Sequence, residues 1–269
     1  MSIWKRLFKS TQRPKPSGAS TNEEKQAQLA QLEEWIKPLI RRTTRIDIQK
    51  PSRPPQDSRH LSHVGGHPYF EQGREWPETK KGEPLQFIFQ IWNEDGLELP
   101  KSVKLIQFFY DWEEFPWDTD NDGWLVRIYR EINPEKEIEQ AVPAGKEAPH
   151  YCALKFETVQ TLPDWEGIDV FGPKASDLSC QINDDEPWQA YQDTVEKLIG
   201  DTDYQSQLGG YPNWVQGEST PKDSEGKPMK LLFQIDSDDN AGFMWGDVGL
   251  IYAFYDEQNE RVEFCLQCH

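Results

Sequence analysis

The sequence predicts a mainly β protein, a β-rich α+β fold built from two pseudo-equivalent repeats with an N-terminal helix packed on them. Apolar residues occupy alternate positions in residues 85–91 and again in residues 229–235, which is the period of a strand with one buried face. The two segments lie 144 residues apart, and 11 of the 27 positions that pair residues 65–91 with residues 209–235 are identical. Ordinary residue frequencies would give about two identities. An internal duplication explains the repeated strand.

Each repeat is expected to begin with a tight turn. Gly65-Gly66-His67-Pro68 pairs with Gly209-Gly210-Tyr211-Pro212, and glycine allows the backbone angles that such a turn needs. We place repeat one at about residues 60–160 and repeat two at about residues 205–269. The other predicted elements are a short strand around residues 46–48, a helix at 187–199, and strands at 85–92, 103–110, 124–130, 151–157, 229–236, 249–256 and 261–267.

The N-terminal region is expected to divide into two parts. Residues 1–20 are predicted to be a flexible basic tail and linker, because proline, serine and glycine are frequent in their second half. Residues 21–269 are predicted to form one domain. The capping box Thr21-x-x-Glu24 predicts that its first helix runs from Asn22 to about Lys37, where the following proline ends it.

The charge is strongly acidic and unevenly placed. The formal net charge is −18, although residues 1–50 contain 11 basic and 5 acidic residues. An acidic body disfavours nucleic acid, since phosphate would be repelled, and suits either solubility or the attraction of a basic protein. No secretion signal and no membrane-spanning run is visible, so we expect a cytoplasmic protein without stable membrane insertion. The 4 cysteines are expected to be free thiols.

Motifs in both halves of the chain resemble those of the YwqG-like family, over about residues 25–269. One departure is Tyr69-Phe70, which stands where the family usually has Leu-Pro. The matching motifs are Trp35-Ile-Lys-Pro38, Ser62-x-x-Gly65-Gly66-x-Pro68, Trp76-Pro77, Gly82-x-Pro84, Gln90-Ile91, Leu208-Gly-Gly-Tyr-Pro212, Gln234-Ile-Asp-Ser-Asp-Asp239, Met244-Trp-Gly-Asp-Val-Gly249 and Leu266-Gln-Cys268.

The resemblance implies a mainly β, roll-like fold made by internal duplication, in agreement with the repeat. The family has no established catalytic activity, so the resemblance supplies no active-site residues. Its members are bacterial, and some are encoded near contact-dependent toxin genes. The resemblance therefore implies an immunity or partner-binding role as a hypothesis.

An acidic cluster after the second repeated strand is the best candidate for a binding site. Its members are Asp236, Asp238, Asp239 and Asp247, with Trp245 between them. Clustered carboxylates can hold a hard cation or meet a basic partner. The alternative, which is preferred, is that Asp236 and Asp247 cap backbone turns, which aspartate does readily. The first repeat has Trp-Asn-Glu-Asp at the corresponding position, so the cluster is only partly duplicated.

A second acidic segment is a candidate for calcium. Asp118, Asp120 and Asp122 match the start of an EF-hand loop, but Tyr129 occupies the position that requires a bidentate glutamate. A plain Asp-Gly turn is the alternative and is preferred. No other cofactor is predicted, and no residue is predicted to be catalytic.

The function predicted from the sequence is a non-catalytic protein-binding module. Its specific form is an immunity or inhibitor protein that binds a basic partner, such as a toxin, through the acidic surface. The alternative is an uncharacterised enzyme or metal-binding module that uses the acidic loop from Asp236 to Asp247. Gln90 and Gln234, which are equivalent under the repeat, are predicted to satisfy buried backbone groups.

Overall fold

A computed structural model describes residues 22–146, 149–200, 202 and 205–269. The tail and linker predicted at residues 1–20 lie outside the described residues. The helices are α1 (Asn22–Ile36), α2 (Ile168–Phe171), α3 (Pro173–Ile182) and α4 (Pro187–Ile199), with short 3-10 turns at Lys37–Leu39, Ser58–His60 and Pro134–Lys136. The strands are β1 (Arg41–Ile48), β2 (His63–Val64), β3 (Phe70–Glu71), β4 (Gln86–Trp92), β5 (Leu105–Tyr110), β6 (Trp124–Tyr129), β7 (Glu137–Ile138), β8 (Cys152–Thr161), β9 (Gln207–Leu208), β10 (Lys230–Asp236), β11 (Leu250–Asp256) and β12 (Arg261–Gln267).

Ten strands form one antiparallel sheet. Equivalent strands of the two repeats follow one another in the same order from each end of the sheet toward its centre. The order is β12-β11-β10-β9-β1-β8-β2-β4-β5-β6, and β3 pairs separately with β7. Strands β1 and β8 pair at the centre, from Arg41 opposite Thr161 to Ile48 opposite Leu154. The mainly β fold and its two pseudo-equivalent halves are confirmed. Strand β1 precedes the first repeat along the chain, yet it pairs with β9 and so lies in the second half of the sheet.

The two repeated strands carry a β-bulge at the same place. The register shifts between Phe87 and Phe89 in β4 and between Leu231 and Phe233 in β10. The extra residue at each bulge, Ile88 or Leu232, is also buried. A single buried face was therefore the wrong expectation, because these strands are covered on both sides and the bulge turns successive apolar residues inward.

The two ends of the sheet approach each other, so the sheet is nearly closed. Trp124 on β6 stacks on Phe264 on β12 with the ring centroids 5.1 Å apart. The Thr119 hydroxyl accepts a hydrogen bond from the Phe264 N–H at 2.7 Å. Inside, Phe89 of the first half meets Phe233 of the second half at 5.1 Å. One core is thus shared by both repeats.

A second, smaller core lies among the helices. Leu32 and Ile36 of α1 are fully buried and share a cluster with Tyr191 and Val195 of α4. Helix α1 ends at Ile36, one residue before the predicted end, because the chain tightens into a 3-10 turn that contains Pro38. The N-terminal helix is confirmed, and α4 has the bounds that the sequence predicted. None of the described helices has the length and apolarity needed to cross a membrane.

Candidate functional site

The predicted acidic cluster does not converge on one point as a set. Asp238 accepts a hydrogen bond from the Ala241 N–H at 2.8 Å and so caps a turn. Asp239 and Asp247 are exposed, whereas Asp236 at the end of β10 is half-buried, and burial raises the pKa of its carboxyl. Across the residues that the structure describes, no group of three or more His, Cys, Asp or Glu side chains is placed to hold a metal ion.

Trp245, the aromatic member of that predicted cluster, lies in the core. Its side chain is 0% exposed, and its ring stacks on Trp112 with the centroids 4.8 Å apart and the planes 18° from parallel. Tyr110 packs edge-on against the same indole, with the ring centroids 5.2 Å apart. From this position the indole supports the packing between the two halves of the sheet.

The predicted calcium loop uses its carboxylates to hold backbone groups. Asp118 accepts a hydrogen bond from the Asp120 N–H at 3.0 Å, which closes a local turn. Asp122 accepts one from the Lys80 N–H at 2.7 Å and so ties this loop to its neighbour. The side chain of Asp120 is exposed. These contacts are those of local turns, and the calcium site at Asp118, Asp120 and Asp122 stays a prediction.

Asp236 lines a cavity of 1040 Å³ between the second half of the sheet and α4. Glu196 of α4 and Asp164, which follows β8, line the same space. Of the five residues predicted for a binding site, Asp236 is the one that faces this cavity. The remaining walls include Trp214, Val248 and His269.

The repeat explains why the cavity exists. The Tyr69 N–H donates to Gln90 Oε1 at 2.9 Å, and the Asn213 N–H donates to Gln234 Oε1 at 2.8 Å, so residues 69 and 213 occupy equivalent places. Asp236 is likewise equivalent to a tryptophan. Its backbone N–H donates to the Ser206 hydroxyl, as the backbone N–H of Trp92 donates to the Ser62 hydroxyl.

In the first half, aromatic side chains fill the corresponding space. Tyr69 is 1% exposed and packs edge-on against Trp92 with the centroids 5.2 Å apart. The second half has Asn213 and Asp236 at these two positions. Two bulky rings are therefore replaced by two short polar side chains, and the second half keeps a polar cavity where the first half is packed.

Asp164 is a residue of the cavity that sequence reasoning missed. Its Oδ1 accepts from the Gly167 N–H at 2.7 Å and its Oδ2 from the Trp214 N–H at 2.5 Å. Burial raises the pKa of this carboxyl to about 7, against the opposing effect of those two N–H groups. No local motif indicates this role, because one of its two partners lies 50 residues further along the chain.

The carboxyl groups around the cavity meet little opposing charge, the exception being His269, which lies close enough to Asp236 to oppose the rise in the pKa of that carboxyl. Asp164, Glu196 and Asp236 make no ion pair with any residue that the structure describes, and no lysine or arginine among those residues lines the cavity. Trp214 is 8% exposed, and within the described part of the chain its indole N–H has no hydrogen-bond partner. Such a site favours a ligand that carries positive charge.

A second cavity of 550 Å³ continues the first along α4. Both are lined by Asp164 and Gln192, and the second adds the aromatic residues Trp165, Trp188 and Tyr191. Trp188 is 42% exposed at the start of α4. We call the two cavities together the α4 groove. Carboxylates lie at one end of the groove, and the exposed ring of Trp188 lies at the other. This composition is typical of binding sites for cationic or peptide ligands.

Comparison with known proteins places the chain in a family without assigning it an activity. The comparison with curated proteins finds no match. A family model described as a domain of unknown function, DUF1963, matches residues 62–262. The match covers most of both repeats and most of the α4 groove, begins after β1 and ends within β12. The chain belongs to the DUF1963 family.

Proposed function

We propose that this protein is a non-catalytic protein-binding module of the YwqG-like type, which binds a basic protein through its acidic surface. In its specific form it is a bacterial, cytoplasmic immunity or inhibitor protein whose partner is a basic toxin. The observation that carries the proposal is the α4 groove, in which Glu196 and Asp236 form no ion pair with a lysine or arginine among the described residues. A basic surface would supply the missing charge.

Electrostatics also supports a basic partner at long range. The formal net charge of −18 attracts cationic proteins and raises their association rate, and this attraction weakens as salt screens it. The exposed Asp239 and Asp247 extend the negative surface beyond the groove. In the described part of the chain, the 580 Å³ cavity beside the first half combines its glutamates with Arg74 and Arg130, so it is less negative than the α4 groove.

An affinity pull-down from native lysate at low and at high salt tests this function. The baits are the wild type, the groove variant Glu196→Gln/Asp236→Asn, and the charge-matched control Glu135→Gln/Glu139→Gln, whose two exposed residues lie outside the groove. We expect one stoichiometric basic protein, read by mass spectrometry, which salt releases. The groove variant should lose it and the control should keep it. If no basic protein is retained, or if both variants retain it equally, this function is wrong.

The second candidate is an enzyme or metal-binding module that uses Asp236. One observation favours it: a carboxyl with a pKa of about 7, that of Asp164, lies in a concave cavity with Asp236 and His269. A general acid or base works best when its pKa is near the working pH. Calorimetric titration with Mg²⁺, Ca²⁺, Mn²⁺ and Zn²⁺ tests the metal form. Binding that Asp236→Asn abolishes and Asp239→Asn preserves would favour it over the protein-binding proposal.

A further inference from the structure

A separate cavity of 820 Å³ lies where the short strand β9 ends between β1 and β10. Strand β9 pairs with both neighbours through Leu208, which lies opposite Thr44 on one side and Phe233 on the other. Gly209 and Gly210 then turn the chain away with φ angles of 66° and 74°, which glycine adopts without strain. Because β1 and β10 lie two strand spacings apart, about 10 Å, their next residues face each other across a gap.

The lining of this cavity is basic, in contrast to the acidic body of the protein. Arg41 and Arg42 of β1 and Lys230 of β10 line it, together with the two acidic residues Glu98 and Glu257. Glu98 pairs with Arg42 at 2.9 Å, and Glu257 accepts a hydrogen bond from a serine hydroxyl. Neither Arg41 nor Lys230 makes an ion pair with any residue that the structure describes. Two cations therefore remain for a ligand.

Aromatic rings hold Arg41 in place without neutralising its charge. Its guanidinium carbon lies 4.0 Å from the centre of the Tyr211 ring and 5.5 Å from that of Phe171. Tyr211 is itself fixed, because its hydroxyl donates to the Leu39 carbonyl at 2.8 Å. Arg41 also lies close enough to this hydroxyl to oppose the rise in its pKa that burial causes. A guanidinium has five N–H donors, so one neutral hydroxyl leaves most of them, and the whole charge, for an anion.

Comparison of the two repeats shows that the shared fold does not require these cations. At the offset of 144 residues, Gln86 of the first half corresponds to Lys230. Strand β8 runs beside β2 as β1 runs beside β9, and this pairing sets Pro149 in the place of Arg41. The first half thus forms the same strand arrangement with two uncharged residues. The basic pair is a separate feature of the second half, and an anionic ligand gives it a role.

We propose that this cavity binds a phosphate monoester that carries an apolar or aromatic group, with the phosphate held between Arg41 and Lys230. Guanidinium and ammonium groups both donate charge-assisted hydrogen bonds to phosphate oxygens, and a phosphate monoester carries nearly two negative charges at neutral pH. Phe171 and the exposed Val170 line the cavity and suit the apolar group. The volume of 820 Å³ is that of a small-molecule site.

The acidic body does not prevent such binding at physiological salt. Charges further away than the Debye length of about 8 Å are largely screened, so the nearby cations decide the local potential. Among the described residues, none that lines this cavity also lines the α4 groove. The inference therefore goes beyond the proposed function, and neither depends on the other.

Titration of the full chain with phenyl phosphate at constant ionic strength tests the site. The readout is the ¹H–¹⁵N signals of the backbone amides of Gly209 and Gly210, which line the cavity. We expect phenyl phosphate to shift these signals in a saturable way. Benzyl alcohol, which keeps the ring without the charge, should leave them unmoved, and inorganic phosphate should bind more weakly than the ester. No saturable shift with phenyl phosphate, or an equal response to benzyl alcohol, overturns the site.

Three charge-removing variants identify the residues responsible. Arg41→Gln and Lys230→Gln should each weaken the binding about tenfold, the loss expected for a charge-assisted hydrogen bond. Arg45→Gln removes the same charge from an exposed residue of β1 outside the cavity and should leave the affinity unchanged. If Arg41→Gln does not fold, because Arg41 packs on an aromatic ring, Lys230→Gln decides alone, since it installs at an exposed position the residue that the first half uses. Equal affinities in Lys230→Gln and Arg45→Gln would refute the proposal.

Discussion

His63 and Gln207 occupy equivalent buried places in the two halves, and the glutamine donates to the backbone through its amide nitrogen although its side-chain oxygen has no partner among the described residues. Gln207 donates through its amide to the Tyr211 carbonyl at 2.5 Å. His63 is 0% exposed, and its ring lies beside the backbone of Ser58, Val64 and Gly65 without a well-aligned hydrogen bond among the described residues. Its ring packs on Tyr151 at 5.1 Å. Burial lowers the pKa of His63 to about 4, because the charged imidazolium would lose its water.

His63→Gln should therefore remove part of the acid sensitivity of the fold. The folded state holds His63 neutral, whereas in the unfolded chain it titrates near its ordinary pKa of 6.5, so unfolding takes up a proton as the pH falls between these values. Stability is thus present above pH 6.5 and is lost toward pH 4. The shift corresponds to about 3 kcal/mol at roughly 1.4 kcal/mol per pKa unit.

Urea unfolding at pH 7 and pH 4.5 measures this loss. The wild type should lose about 2 to 3 kcal/mol more than His63→Gln between the two values. His67→Gln, at an exposed histidine of the same turn, should keep the wild-type dependence. Equal losses in the wild type and His63→Gln would show that His63 does not carry the acid sensitivity.

At the scale of elements, the two bulged strands hold their own flanking loops. Gln90 accepts from the Tyr69 N–H, and its amide donates to the carbonyls of Arg59 at 2.8 Å and Leu61 at 2.9 Å. Gln234 makes the same pattern with Asn213 and Gln205. The sequence could predict that these glutamines satisfy backbone groups, because a repeated polar residue inside an apolar strand needs partners. Each does so within its own half.

Gln90→Leu and Gln234→Leu should each destabilise the fold by about 3 kcal/mol. Leucine keeps the volume but leaves one N–H and at least one carbonyl without a side-chain partner, and these groups are buried or part-buried. A buried group left in this way costs about 1 to 3 kcal/mol. Chemical unfolding with a tryptophan fluorescence readout measures the change. Gln72→Leu, at an exposed glutamine, is the control and should change stability little. Unfolding free energies for the two variants that match the wild type would refute the anchoring role.

Sequence periodicity located the elements that are long and regular, and missed those set by distant contacts. The helix at Pro187–Ile199 and the strand at Arg261–Gln267 lie where the pattern predicted them. Helix α3 was missed because Gly172-Pro173 at its start reads as a loop. Strands β2 and β9 have two residues each and leave no periodic pattern. The central place of β1 was not predictable locally, since its partners follow more than a hundred residues later.

At the scale of the whole molecule, the site depends on how the two repeats differ. Sequence reasoning found Asp236 from its position after the repeated strand, and it placed Trp245 in the same site because the two lie close in sequence. The fold separates them: Trp245 points into the shared core, and Asp236 faces the cavity. A signal for the cavity was nevertheless present, because aligning the repeats sets Asn213 against Tyr69 and Asp236 against a tryptophan. Large-to-small differences between repeats mark where one half is open.

The sheet order also predicts that the rest of the chain depends on strand β1 for folding. Strand β1 lies between β8 and β9, and it joins the two halves through eight paired residues with β8. Its Thr43 and Thr44 are 0% and 1% exposed, so they belong to the interior. The segment that matches the family, residues 62–262, lacks this strand. Removing it leaves the facing edges of β8 and β9 unpaired, which exposes backbone donors and acceptors at the centre of the sheet.

A chain that begins at residue 52 should therefore fail to fold cooperatively, while a chain that begins at Asn22 should unfold in one transition. Near-ultraviolet circular dichroism and urea unfolding distinguish the two outcomes. Adding a peptide of residues 22–51 should restore the signal of the shortened chain at one equivalent, because the peptide can pair with both open edges and pack its helix on α4. Cooperative unfolding of the shortened chain without the peptide would mean that the two repeats hold each other through the shared core of Phe89 and Phe233 alone. Restoration by the peptide would show instead that β1 is the strand on which both halves of the duplication assemble.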